Sequence, residues 1–211
     1  MKSHNNILFV PAAAALCGCT GGASYEMGTY GYDLDFLAKH EIPTVELASA
    51  DGQSKVMLAP SMQGRVMTST TGGDGGASYG WINYKFIEAG ELSTFFNPYG
   101  GEERFWIGPE GGPNSYYFKK GVEQIYDNWV VPAVIDTESY DIESQAQDKV
   151  VFTKHTEMVN ASDNAFKIGI RRAVTLYEAE KIAEIIGIEV PAGVKSLAYS
   201  TENTLTNEGE N

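Results

Sequence analysis

The sequence predicts a mainly β domain with a few short helices. Three observations carry that expectation. Several runs alternate apolar and polar residues, as half-buried strands do. An Asp-Gly pair sits between two of those runs, a hairpin signal. Glycine-rich loops carrying aromatics fill the middle of the chain, where twelve of the 23 glycines and fourteen of the 24 aromatics fall between residues 72 and 129. Loops of that kind between regular strands are a common way to build a binding face, and they are also what a core with tight turns looks like.

Residues 1–18 read as a secretory leader. Lys2 gives a weakly positive head, residues 7–16 are apolar with alanines at 12–15, and small residues follow. The run is shorter than the roughly 20 apolar residues that span a bilayer. It ends in Leu16-Cys17-Gly18-Cys19, which resembles the lipobox of bacterial lipoproteins. That resemblance implies that Cys19 becomes the lipidated first residue of a protein held in the envelope of a Gram-negative bacterium, periplasmic or surface-exposed. An ordinary secreted protein cut nearby is the alternative. Both cysteines lie in this segment, so no disulfide is expected beyond it, and their C-x-C spacing lacks further Cys or His ligands for a metal. The net charge is −13, and Lys2 is the only formal charge in the leader, so the mature chain is more acidic by one. Such a chain repels nucleic acid and anionic membrane surfaces. The membrane is therefore expected to be reached only through the lipid on Cys19.

Residues 19–32, rich in Gly, Ser and Tyr, read as a flexible tether, and 33–211 as one β domain. "YDLDFLAKHE" predicts a short helix with Asp33 near its N-cap. "TVELASADGQSKVMLAP" predicts a hairpin about Asp51-Gly52, and "GRVMTST" another short strand. "FKIGIRRAVTL" alternates most clearly, with Phe166, Ile168, Ile170, Val174 and Leu176 on one face and Lys167, Arg171 and Thr175 on the other. Residues 178–187 read as a helix with Ile182, Ile185 and Ile186 on one face and Gly187 as its stop, and "VKSLAYSTENTLTN" as a last long strand. The chain ends as that strand enters a turn, which reads as a piece of a longer protein.

The densest stretch for chemistry is "GGEERFWIGPEGG", residues 100–112. Glu102, Glu103 and Glu110 are candidates for a carboxylate pair acting on a sugar, which needs two carboxylates about 5 to 9 Å apart. If "ERFWIG" is a strand, Arg104 and Trp106 share a face, and an aromatic plate beside a forked donor suits a sugar ring. A core Trp beside an Arg paired to a structural carboxylate is the bland alternative. Arg172 falls on the apolar face of its strand and needs a partner, either an internal carboxylate or a ligand in a polar cup. Arg65 opens a strand after a glycine, and Trp81 and Asn83 are spaced to share a face. Lys119-Lys120 reads as a solvated turn, His40 as a helix end, and His155 as a polar turn residue. No metal motif, nucleophile elbow, phosphate loop or dinucleotide fingerprint is present, so no metal or cofactor is expected.

Taken together, these pieces resemble a known superfamily. "GGEERFWIGPEGG" is similar to a Gly-Gly-x-x-Arg-(apolar)-Trp-x-x-Pro-Glu pattern in uncharacterised bacterial families related to aldose 1-epimerase, the galactose mutarotases. "MQGRVMTST" looks like an early strand of that superfamily and "ENTLTNEG" like a later strand end, and "YGWIN" and "YFKKG" add weaker likeness. With the lipobox, the chain resembles the N-terminal part of a family of secreted lipoproteins. The resemblance implies an antiparallel β-sandwich of the supersandwich type with a sugar-binding cup, built here by Arg65, Asn83, Arg104, Trp106 and Glu110. It does not carry catalysis. The histidine segment of the mutarotases, Asn-His-x-x-Phe-Asn in type, is absent, and their base glutamate would lie beyond Asn211. Fold alone does not decide function. The expected function is thus carbohydrate binding by a lipid-anchored envelope protein. The alternatives are a protein-interaction module, and an epimerase or glycosidase completed by residues past Asn211.

Overall fold

The computed structural model describes residues 24–210. The leader, Cys19 and the first residues of the expected tether lie outside the described residues. The chain is mainly β, with two antiparallel sheets and three short helices. One sheet has the order β1 (Val45–Ala48), β2 (Lys55–Ala59), β3 (Arg65–Thr70). The other runs β4 (Asp141–Gln145), β5 (Lys149–Val159), β6 (Ala165–Tyr177), β7 (Ala198–Asn207). The helices are α1 (Tyr30–Lys39), α2 (Tyr84–Ala89) and α3 (Ala179–Ile186). Among the described residues no helix is long and apolar enough to cross a membrane.

Helix α1 starts earlier than the sequence led us to expect. Thr29 is its cap, with an extended backbone and a hydroxyl that accepts from the Tyr32 amide at 3.4 Å. Tyr30 is fully buried, so residues 30–32 belong to the folded domain and not to a tether. Asp33 is not the cap. It is a buried carboxylate in the first turn that accepts from the hydroxyls of Ser78 and Tyr84.

The β1–β2 hairpin forms as its alternation demands, with Ala48 opposite Lys55. Its connection is residues 49–54 rather than a two-residue Asp-Gly turn. Gly52 takes φ +69°, and the Asp51 carboxylate organises the loop by accepting from Ser49 Oγ at 2.7 Å and the Gln53 amide at 2.9 Å. Strands β2 and β3 do not show the one-sided burial of a surface sheet, since all six residues of β3 are buried. The reason is a third layer. One face of this sheet meets the other sheet through Leu47, Val56, Leu58 and Val66, and the other face packs Met57, Ala59 and Met67 under Tyr30, Phe36 and Leu37 of α1.

In the four-stranded sheet, Val150, Phe152, Ile170, Val174 and Leu176 face the core, and Lys167 and Arg171 face out. Phe166 departs from expectation: at the start of the strand it is exposed, with its ring edge-on to Tyr116 at 6.0 Å. Of the α3 isoleucines only Ile182 is buried; Ile185 and Ile186 are exposed, and Gly187 ends the helix at φ +69°.

The two sheets are tied by polar contacts as well as by the core. The Arg172 side chain of β6 is fully buried. Its Nε donates to Gly64 O at 3.1 Å, Nη1 donates to Asn203 Oδ1 of β7 at 3.0 Å, and Nη2 pairs with Glu103. Elsewhere Ala48 N donates to Gln147 O at 2.8 Å and Tyr140 N to Pro60 O at 3.0 Å. Between β3 and β4 the chain crosses about 70 residues with no ladder, only α2, short turns and three isolated bridges. That stretch builds the site.

Candidate ligand groove and the arginines behind it

Residues 103–107 touch β3 at a single bridge, Val66 with Glu103, instead of forming the expected strand. Gly100 and Gly101 turn the chain there with φ +91° and +109°. A side chain on Gly101 would meet Val66 O at 2.8 Å and Arg65 Cδ at 2.9 Å, so the paired glycines let this segment lie against the Arg65 stem. The alternation survives without the ladder. Phe105 and Ile107 enter the core, while Arg104 and Trp106 face the other way, with the guanidinium 4.3 Å above the indole. Trp106 Nε1 donates to the Glu110 carboxylate at 2.8 Å.

Beyond Arg104 lies the carboxylate of Asp136, which follows the short turn Ala133–Ile135. Asp136 is buried, accepts from Asn97 Nδ2 at 2.6 Å and from Asn97 N at 3.1 Å, and lies 3.8 Å from Arg104 Nη2. Asn97 is fixed in turn by Ser93, whose amide donates to Oδ1 at 2.8 Å. Burial pushes the Asp136 carboxyl above the usual range, and Asn97, Arg104 and Arg65 work against that rise. Burial lowers Arg104 as well, with Asp136 offsetting it. Arg65 is pushed down to about 10, first by burial and then by the charge of Arg104.

Asn97 and Asp136 lie in the wall of an open groove of about 1140 Å³, ample for a small ligand. Phe95, Tyr116, Phe118, Val130 and Val131 supply apolar wall, and Lys119 and Lys120 are at its rim. Lys120 pairs with Asp163 at 3.2 Å. A smaller pocket of about 340 Å³ adjoins it between Phe95, Phe96, Tyr126 and Trp129. The aromatics form a continuous run. Trp106 meets Tyr117 at 5.6 Å, Tyr117 stacks on Trp129 at 5.6 Å, and Trp129 stacks on Tyr126 at 6.2 Å. The run leads from buried Tyr117 out to Tyr126, which is 84% exposed.

Of the residues expected to build a cup, Arg104 lies over Trp106, Trp106 bonds Glu110, and Arg65 stands beside Arg104 across the Val66–Glu103 bridge, but none of them lines the groove over Asn97 and Asp136. Asn83 is set apart. It caps α2, accepting from the Phe86 amide at 3.3 Å, and its Nδ2 donates to Pro98 O at 2.9 Å. Trp81 is exposed and shares no site with it. The three glutamates each have a protein partner: Glu103 is paired with Arg172, Glu102 accepts from Ser69 Oγ at 2.8 Å and Tyr199 OH at 3.0 Å, and Glu110 holds Trp106. Arg172 makes the internal ion pair. His40 follows α1 with its ring on Phe36, whereas His155 is not a turn residue but lies within β5, exposed and 2.9 Å from Glu208, because the ladder with β6 runs through it opposite Gly169. Among the described residues no group of three or more Cys, His, Asp or Glu is placed to hold a metal.

The sequence reading missed Asn97, Asp136, Phe95 and Trp129. Asn97-Pro98 reads as a turn, and nothing local marks "VIDTES" as a site. Comparison with curated proteins and with solved structures returns no match. A family model described as "Family of unknown function (DUF6786)" matches residues 28–211, and the chain therefore belongs to that family.

Proposed function

We propose that this protein binds carbohydrate in the groove over Asn97 and Asp136, as a lipid-anchored envelope protein held through Cys19. One observation carries the binding reading: a buried, pre-oriented Asp136–Asn97 pair in the wall of a roomy groove with aromatic sides. Sugars need both surfaces, an apolar plate for the ring face and fixed donors and acceptors for the hydroxyl rim. The likeness of residues 100–112 to the mutarotase-like pattern supports the same reading, and the lipobox supports the envelope. Catalysis is not part of the proposal.

The test is a thermal melt of the full chain with a panel of neutral and acidic sugars, since a ligand selective for the native state raises Tm. One sugar class should raise it, and Asn97→Ala and Trp129→Ala should remove that rise while the variants still melt cooperatively. A wild-type melt that no sugar moves refutes the proposal. For the anchor, metabolic labelling with a fatty acid should mark the wild type and not Cys19→Ala.

A second reading is an envelope module that meets another protein. What favours it is that Ile185, Ile186, Ile188, Val194 and Leu205 are each exposed, and that β7 is paired on one side only among the described residues. Cross-linking through a cysteine placed at Leu205 should then trap one stoichiometric partner from envelope extract, and its absence counts against this reading.

A further inference from the structure

We propose that Arg65 and Arg104 together hold a compact anion. The inference does not depend on sugar binding in the groove. It begins with register. The Val66–Glu103 bridge is antiparallel, so continuing it by one residue sets Arg65 opposite Arg104. Like charges directly opposite each other destabilise a pair of strands. Here both are largely withdrawn from water, Arg65 being only 2% exposed and the Arg104 side chain 20%.

Their partners do not cancel this charge. Arg65 donates only from Nη1, to Gly100 O at 2.8 Å, and its remaining face covers the Tyr99 ring at 5.6 Å. Its Nε and Nη2 are buried with no hydrogen-bond partner. Arg104 gives Nη2 to Ile135 O, and its Nε is likewise buried without a partner. Among the described residues the only carboxylate in ion-pair range of either is Asp136, 3.8 Å from Arg104, and its oxygens already accept from Asn97. Glu102, Glu103 and Glu110 are each engaged elsewhere. Two guanidiniums therefore share one counter-charge. Arginine does not escape by losing its proton at neutral pH, and an uncompensated buried charge is costly.

The unpartnered donors also set the geometry an acceptor would meet. Nε–H and one Nη2–H of Arg65 point along the same edge of the guanidinium. That edge is the side-on fork that takes two oxygens of a carboxylate or one small anion. Arg104 Nε is a third donor on the facing residue. Arg104 is the solvent-facing member of the pair. The same chemistry is offered by the carboxylate of an acidic sugar and by a free anion such as acetate or chloride.

The experiment is a thermal melt of the full chain in sodium fluoride, chloride, acetate, galacturonate or galactose, with ionic strength held constant by fluoride, a strongly hydrated reference. We expect acetate or galacturonate to raise Tm by about 5 °C or more at roughly 100 times its Kd. Arg65→Met should abolish that rise. A rise with galacturonate well beyond that with acetate assigns the anion to an acidic sugar; equal rises assign it to a free anion. Galactose alone raising Tm upholds the groove reading and overturns this one. So does a wild-type Tm that no anion moves relative to fluoride, or an Arg65→Met variant that keeps the full response. Should Arg65→Met fail to fold, Arg104→Gln replaces it, and an undiminished response there overturns the proposal.

Discussion

Removing the two partners of the Glu103–Arg172 pair should cost unequal amounts, and the structure says which costs more. The Arg172 side chain is fully buried, whereas that of Glu103 is 29% exposed. In Glu103→Gln the guanidinium keeps Gly64 O and Asn203 Oδ1 but has no carboxylate left in range. Stranding a buried charge in this way costs about 3–5 kcal/mol. In Arg172→Met the stem volume is kept, and the orphan is a carboxylate that water reaches and that Thr201 Oγ1 already approaches at 3.5 Å. That loss is closer to the cost of an unsatisfied polar group, about 1–3 kcal/mol. The double variant should resemble Arg172→Met alone, giving a coupling as large as the Glu103→Gln loss itself, about 3–5 kcal/mol. Urea unfolding with unchanged m-values reads these differences directly. On a chain of this size a loss of about 3 kcal/mol is roughly 6–12 °C in Tm. Equal losses, or a double variant that sums the two singles, would refute the claim that burial asymmetry sets the cost.

Three further outcomes follow from the same geometry. Gly64→Ala should destabilise by more than about 1 kcal/mol in urea unfolding, because Gly64 has φ +62° and a Cβ there meets the Phe152 ring at 2.5 Å; a neutral result would mean that β3 enters the core differently. Asp136 titrates with a sign opposite to that of a salt-bridged carboxylate. Its folded pKa is raised by burial, so the folded state holds the proton more firmly, and its contribution is largest below about 3.9 and is lost as pH rises through the folded value. The unfolding free energy of wild type minus that of Asp136→Asn should thus fall as pH increases from about 4, and a rising difference would overturn the assignment. Tyr126→Ala should leave stability within about 0.5 kcal/mol, because the ring is exposed, yet weaken any sugar-induced rise in Tm; an unchanged rise removes Tyr126 from the site.

The parts legible in the sequence are those set by neighbours along the chain. Alternation located β1, β2, β3, β6 and β7, and Gly187 marked the end of α3. Alternation also put Arg104 and Trp106 on one side, even though residues 103–107 form no ladder, because extended backbone alternates its side chains with or without a partner. Strands β4 and β5 went unmarked in the sequence, and the other failures were tertiary. Burial of both faces of β2 and β3 depends on α1 lying over them, and no local pattern reports that layer. The helix start was misplaced because Asp33 resembles a cap, while Thr29 does the capping and Asp33 serves Ser78 and Tyr84 across the fold. Asn97 and Asp136 stand 39 residues apart in a stretch without ladders, so no spacing rule joins them.

The choice posed by residues 100–112, structural strand or ligand site, rests on a division the molecule does not make. Successive side chains of one short segment point to different tasks. Glu103 closes the Arg172 tie between the sheets, Phe105 and Ile107 fill the core, Arg104 reaches toward Asp136, and Trp106 joins the aromatic run. The segment can hold Arg104 so close to Arg65 because the residues on either side of it are anchored in the core and in a buried ion pair. A buried like-charged pair needs that anchoring, since repulsion would otherwise swing the more exposed arginine into water. The structural role is therefore the means by which the segment keeps two guanidiniums poised for an anion. Loosening the Glu103 tie should weaken the anion response of a folded variant as well as lower its stability. A Glu103→Gln protein that is destabilised yet keeps the full anion response at a temperature where it is folded would separate the two roles again.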